Sequence, residues 1–243
     1  MKMSGQLRKA LSTKVGQQIM SGVRDLAWAI GVVMLINVSL VQAYHVPTGS
    51  MENTIMTGDF LMADKLTLGP RTPHWIGIPY TNLGTHVPAL KLPGLRNPRP
   101  GDVVVVEVPV DKRTPYVKRV VAVEGQTVEV RNKKLYVDGL PADTPEHLVH
   151  GDNRTLPRGL HQPGIHPSLG NRDNWGPYTV PEDMVFLMGD NRDFSFDSRY
   201  FGPVSKSSII GRARVVTFSY DIKSHDIPFY KRMRLGRIGT WLN

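Results

Sequence analysis

Between Leu26 and Tyr44 the chain reads LAWAIGVVMLINVSLVQAY, a run without a single charged side chain. At about 1.5 Å of rise per helical residue, such a run reaches across a hydrocarbon layer of roughly 30 Å, so it predicts one membrane-spanning helix. Lys2, Arg8, Lys9, Lys14 and Arg24 precede it. Basic flanks stay on the cytoplasmic side, which predicts a cytoplasmic basic arm over 1–25, a transmembrane helix over 26–44 and an extracytoplasmic part over 45–243. Two other readings compete. Asn37, Ser39 and Gln42 weaken the apolar run, as a buried core helix would allow. Val41-Gln42-Ala43 has the small-residue spacing of a secretory cleavage site, although the run is longer than the roughly 7 to 15 apolar residues of such a signal.

Beyond Tyr44 the pattern changes to short apolar runs broken by turn residues, and the 23 glycines and 19 prolines favour turns over long helices. Phe60 to Ala63, Asp102 to Val108, Tyr116 to Val123, Thr127 to Val130, Leu135 to Val137, Met184 to Met188 and Arg212 to Phe218 read as strands through their β-branched and alternating residues. The fold class is therefore mainly β, built of antiparallel sheets. The stretch from Gly69 to Gly101 reads as a long surface loop, and 131–183 as a loop-rich insertion or cap. Without cysteine, thiol catalysis, thiolate metal sites and disulfides are all excluded.

The formal charge of +9 is concentrated in the N-terminal arm and in the run from Lys231 to Arg237. No nucleic-acid module accompanies either cluster, so a membrane phospholipid surface is the expected partner and nucleic acid is not. His147, His150, His161 and His166 lack the tight spacing of a metal site. No metal and no cofactor is expected.

Three segments carry candidate chemistry. In Tyr116-Val117-Lys118-Arg119-Val120-Val121-Ala122 a strand puts Lys118 on one face with Tyr116, Val120 and Ala122, a lone cation among apolar neighbours. Burial would depress its pKa and fit it to accept a proton, whereas an edge-strand lysine reaching water is the plainer alternative. Pro47-Thr48-Gly49-Ser50-Met51 offers a serine just past the apolar run, where a hydrolase of membrane-bound peptides needs one; alone, Gly-Ser also marks ordinary turns. In Gly189-Asp190-Asn191-Arg192-Asp193-Phe194-Ser195-Phe196-Asp197-Ser198-Arg199 each acid has an arginine nearby, the pattern of a structural ion-pair network.

Taken in order, the Gly-Ser-Met segment after an apolar span, the Tyr-Val-Lys-Arg strand and the GDNRD-x-S-x-DSR run resemble bacterial signal peptidase I, a Ser-Lys endopeptidase family. The resemblance implies Ser50 as nucleophile, Lys118 as general base, and an oxyanion hole from the Ser50 N–H and the Thr48 hydroxyl. It further implies that Ser195 orients the lysine amine and that Arg119, Asp190, Asp197 and Arg199 brace the site. Val46, Pro47, Met51, Ile55, Tyr116 and Val117 should line shallow pockets for small substrate residues, the substrates being exported preproteins. Three positions depart from the family pattern: Thr48 for the commoner serine, Asn53 for the usual proline, and Phe196 where small residues are frequent. Two alternatives stay open beside a general signal peptidase, namely a specialised relative that processes pilin-like or conjugation proteins and a non-enzymatic anchored β module.

Overall fold

The computed structural model describes residues 14–71, 75–77, 84–86, 91–144, 146–224 and 226–242. Lys2, Arg8 and Lys9 of the basic arm lie outside them. Helix α1 spans Lys14–Ser39 and presents Ile19, Val23, Leu26, Trp28, Ile30 and Val33 to the outside. Among the described residues no helix is long and apolar enough to cross a membrane.

The expected helix over 26–44 is corrected at its end. It stops at Ser39, and Val41–His45 instead forms strand β1, paired antiparallel with β2 (Asp59–Asp64), Tyr44 opposite Leu61. Sheet pairing gives the backbone of these five residues hydrogen-bond partners that an isolated helix end lacks. β1 also contains the candidate cleavage site Val41-Gln42-Ala43 within a paired strand.

In chain order the remaining strands are β3 (Trp75–Gly77), β4 (Gly84–His86), β5 (Val103–Val108), β6 (Asp111–Val123), β7 (Thr127–Arg131), β8 (Lys134–Val137), β9 (Leu140–Pro141), β10 (Trp175–Thr179), β11 (Met184–Met188), β12 (Val204–Ser205) and β13 (Ile209–Ser219). A seven-stranded antiparallel sheet runs β1-β2-β13-β5-β6-β11-β12, a four-stranded one β10-β7-β8-β9, and β3 pairs with β4. The 131–183 segment, read as loop-rich apart from the strand at Leu135 to Val137, supplies three of the four strands of the second sheet. Its Gly and Pro residues concealed β10, whose sequence is WGPYT. Asn132 and Lys133 both take positive φ (47° and 71°), as the tight turn of the β7–β8 hairpin demands.

Between the sheets, Val121, Ala122, Phe186 and Met188 pack against Val128, Val130, Leu135 and Trp175. Across the large sheet Val104, Val106, Val120, Val185 and Leu187 form a second cluster, and a third holds Val46, Met51, Ile55, Leu61, Val103 and Val216 beneath the Ser50 turn. In β6 strict alternation fails. Leu187 pairs with Val120 but Phe186 with Ala122, leaving Val121 as an extra, bulged residue. Ala122, expected on the Lys118 face, consequently packs in the inter-sheet cluster with Val121.

Candidate active site

β6 carries Lys118 opposite Val104 of β5, and the turn that follows β1 carries Ser50 to meet it. Lys118 is 3% exposed. Its Nζ lies 2.7 Å from Ser50 Oγ and donates to Val117 O at 3.0 Å. Burial drives the pKa of this amine down from 10.5 to about 8, against the upward pull of Asp197 and Asp190. The Tyr116 ring, centred 5.4 Å from Nζ, flanks it.

The Ser50 turn is held from two sides. Asn191 N donates to Ser50 O at 3.2 Å, and Asn191 Nδ2 donates to Gly49 O at 3.1 Å. Beneath it, Arg119 grips both oxygens of Asp190 at 2.8 Å, and the Thr54 hydroxyl donates to Asp190 Oδ2 at 2.5 Å. Arg199 holds Asp197 by Nε and Nη2 at 2.9 and 2.8 Å, while Gly189 N donates to Asp197 Oδ2 at 3.1 Å. Burial disfavours the Asp197 charge, but the Arg199 guanidinium and the hydrogen bonds outweigh it and keep the carboxyl below its usual range. The four expected ion-pair residues thus form two buried pairs, one under the Ser50 turn and one under the Gly189–Ser195 segment.

Ser195 is 4% exposed and its side chain lies against Asp197, whose charge it helps to hold; the lysine amine bonds to Ser50 and Val117. Ser195 does lie beside the pair, because a Cβ at Gly189 would collide with both the Ser195 side chain and the Ser50 carbonyl oxygen. Gly189 is therefore required by close approach, a role the sequence signalled only by its place after an apolar strand. Thr48 and Ser50 both line the cleft, and neither the Thr48 hydroxyl nor the Ser50 N–H has a hydrogen-bond partner among the described residues.

A cleft of about 300 Å³ opens over the dyad, lined by Val46, Pro47, Thr48, Ser50, Met51, Tyr116, Val117 and Lys118. Ile55, expected at a pocket wall, is instead 0% exposed in the third core cluster, since the helical turn after Ser50 rotates it inward under Met51. His45, Asp111, Phe194 and Phe196 join the lining. None of the four is among the pocket residues expected from sequence, where Phe196 stands only as a departure from the family pattern. Phe194 was discoverable, being two residues from Phe196 on the other side of Ser195.

Asn53, read as a loss of restraint, is restrained differently. Its φ is 82°, and Nδ2 donates to Glu146 O at 3.0 Å. Among the described residues no group of three or more His, Asp or Glu side chains is placed to hold a metal ion.

A serine hydroxyl in contact with a buried, low-pKa lysine at an open cleft on antiparallel sheets is the arrangement of a serine hydrolase with a lysine base. Residues 19–218 match the family described as signal peptidase, peptidase S26, and the chain belongs to that family. It is 31% identical over 222 residues to signal peptidase I of Pseudomonas aeruginosa, the match taking in 83% of this chain and 74% of that relative. With signal peptidase I of Rickettsia typhi it shares 27% over 261 residues, 93% and 95% of the two chains. A solved signal peptidase I from Enterococcus faecalis V583 matches 49% of this chain and 98% of its own at 26% identity, with a TM-score of 0.36.

Proposed function

We propose that this chain is a signal peptidase, a serine endopeptidase that cuts N-terminal signal peptides from exported preproteins. The observation that carries the reading is the 2.7 Å contact between Ser50 Oγ and the buried Lys118 Nζ. With Lys118 neutral, its nitrogen takes the Ser50 proton as Oγ attacks the scissile carbonyl. Charge on the carbonyl oxygen is met by the Ser50 N–H and the Thr48 hydroxyl. The Lys118 ammonium then protonates the departing amine, which leaves as the new N-terminus of the mature protein, and an acyl ester stays on Ser50. Water, losing its proton to Lys118, hydrolyses the ester and frees the signal peptide's carboxyl end.

Ser195 fits as the group that orients the lysine amine, since its buried side chain lies against Gly189 beside the Ser50 carbonyl. The preprotein lies extended along the Tyr44 to Ser50 and Thr114 to Lys118 segments, with backbone hydrogen bonds holding register and the Val46, Pro47, Met51, Tyr116 and Val117 side chains selecting small residues. Replacing Ser50 or Lys118 by alanine should abolish cleavage of a synthetic preprotein while leaving the circular dichroism spectrum unchanged. Normal turnover by either variant would end this reading.

The same proposal makes the enzyme a single-pass protein of the cytoplasmic membrane, its N-terminus cytoplasmic and the β part extracytoplasmic, with a span to which α1 contributes its exposed apolar face but which it does not complete by itself. Support comes from the apolar side chains that α1 exposes and from basic residues ahead of them. Exposed Phe229, Tyr230, Leu235 and Trp241 beside Lys231 and Arg232 add a second surface suited to phospholipid. Extraction of the expressed protein by alkaline carbonate would contradict the anchor; retention in the membrane fraction supports it.

A further inference from the structure

We infer that Phe196 sets the upper size limit on the substrate side chain seated beside Ser50, an inference that rests on the peptidase reading above. Ser195 is extended (φ −117°, ψ 124°), so successive side chains point to opposite sides. Ser195 turns inward against Gly189 and the Ser50 carbonyl, and its neighbours Phe194 and Phe196 turn outward to the cleft. The two rings are not equivalent. Phe196, 44% exposed, is packed on one side by Tyr200 and Phe201, with ring centroids 5.3 and 5.5 Å away, and it shares the cleft lining with Ser50, Met51 and Lys118. Phe194 is 63% exposed and lies over Gly151 at the rim, where a Cβ would collide with its ring.

A wall that could swing aside would admit larger side chains. Phe196 cannot do so without giving up both aromatic contacts. A second part of the lining is fixed as well, because Met51 is 1% exposed and rests on the core cluster with Ile55 and Leu61. Within a cleft of about 300 Å³, the space open to the substrate beside the nucleophile is therefore limited by one pinned ring.

The test uses the full chain in detergent and three synthetic preproteins that differ only in having Ala, Val or Leu immediately before the scissile bond, with the cut located by product mass. The readout is the ratio of kcat/KM for the Ala substrate to that for the Leu substrate, taken within each variant. Wild type should favour Ala strongly. In Phe196→Ala the ratio should fall at least tenfold, the order expected when an apolar pocket gains or loses a few methylene-sized groups. Phe196→Leu should lower it by a smaller factor, and Leu95→Ala, at an 83%-exposed residue outside the cleft lining, should leave it within twofold. A ratio unchanged within twofold in both Phe196 variants overturns the inference, as does a wild type that cuts the Leu substrate as fast as the Ala one. Should Phe196→Ala fail to fold, Phe196→Leu decides alone. A wild type that cuts none of the three overturns the peptidase reading itself, and this inference with it.

Discussion

At the scale of single residues the proposed chemistry depends on keeping an amine uncharged. With a pKa of about 8, roughly one Lys118 in ten is neutral at pH 7. Acylation should therefore rise about tenfold per pH unit below pH 7 and level off above pH 9, measured as kcat/KM on a peptide substrate. The stability consequence has a definite sign. Because the folded pKa is depressed, the unfolded chain binds more protons between about pH 8 and 10.5, so stability rises with pH across that window and carries the full penalty below it. A depression from 10.5 to about 8 corresponds to about 3 kcal/mol. Lys118→Met removes that penalty and forfeits two hydrogen bonds, worth about 1 kcal/mol each. The variant should be inactive yet about 1 kcal/mol more stable at pH 7 by urea unfolding, and this advantage should vanish near pH 9 and turn into a deficit of about 2 kcal/mol by pH 10.5. Equal or lower stability at pH 7 would mean that burial is not what depresses the amine. The lysine's place on an apolar face was legible in the sequence, because strand alternation needs only local residues. Its distance to Ser50 was not, since the two are joined only by the fold and by the resemblance of three motifs.

At the scale of elements, the Ser50 turn and the paired ions beneath it act together. Asn53 holds φ at 82°, a value closed to proline, whose ring fixes φ near −65°. Asn53→Pro should accordingly cost well over about 1 kcal/mol and depress kcat, whereas Asn53→Gly, free to adopt positive φ, loses only the bond to Glu146 O and should cost about 1 kcal/mol or less. If the proline variant melted with wild type, the turn would be adaptable and not fixed. Under the same turn, Asp190→Ala would leave the Arg119 guanidinium, 6% exposed, without its carboxylate. Losing one partner of a buried pair costs about 3–5 kcal/mol, which chemical denaturation should register alongside a loss of turnover. The strands at this scale were mostly readable: each of the seven expected from sequence is present, because β-branched runs such as Val103 to Val106 report burial directly. What escaped were elements made by distant partners. β1 looked helical until β2 paired with it, β10 was hidden by Gly176 and Pro177, and the β6 bulge at Val121 is visible only in its register against β11.

At the scale of the whole molecule, the junction between α1 and β1 decides what can be removed. α1 ends at Ser39, and β1 closes the edge of the large sheet at Val41 while Val46 drops into the core cluster under the Ser50 turn. A chain shortened to begin at Leu40 keeps the entire sheet and both members of the dyad. Its kcat/KM on a short soluble peptide should stay within a few-fold of the full chain in detergent, while its rate on a preprotein embedded in vesicles should drop by a much larger factor, because co-localisation on one surface is lost. A chain shortened to begin at Pro47 strips β1 from the sheet, opens the β2 edge and removes a 3%-exposed valine from beneath the nucleophile. That protein should unfold at lower denaturant and lose peptide cleavage altogether. The same geometry argues against cleavage after Ala43 in a working enzyme, since the cut would fall inside a paired strand a few residues from Ser50. Intact mass of the active protein tests this: a species beginning at Tyr44 with full activity would show that half of β1 is dispensable and that the edge strand does not hold the nucleophile turn.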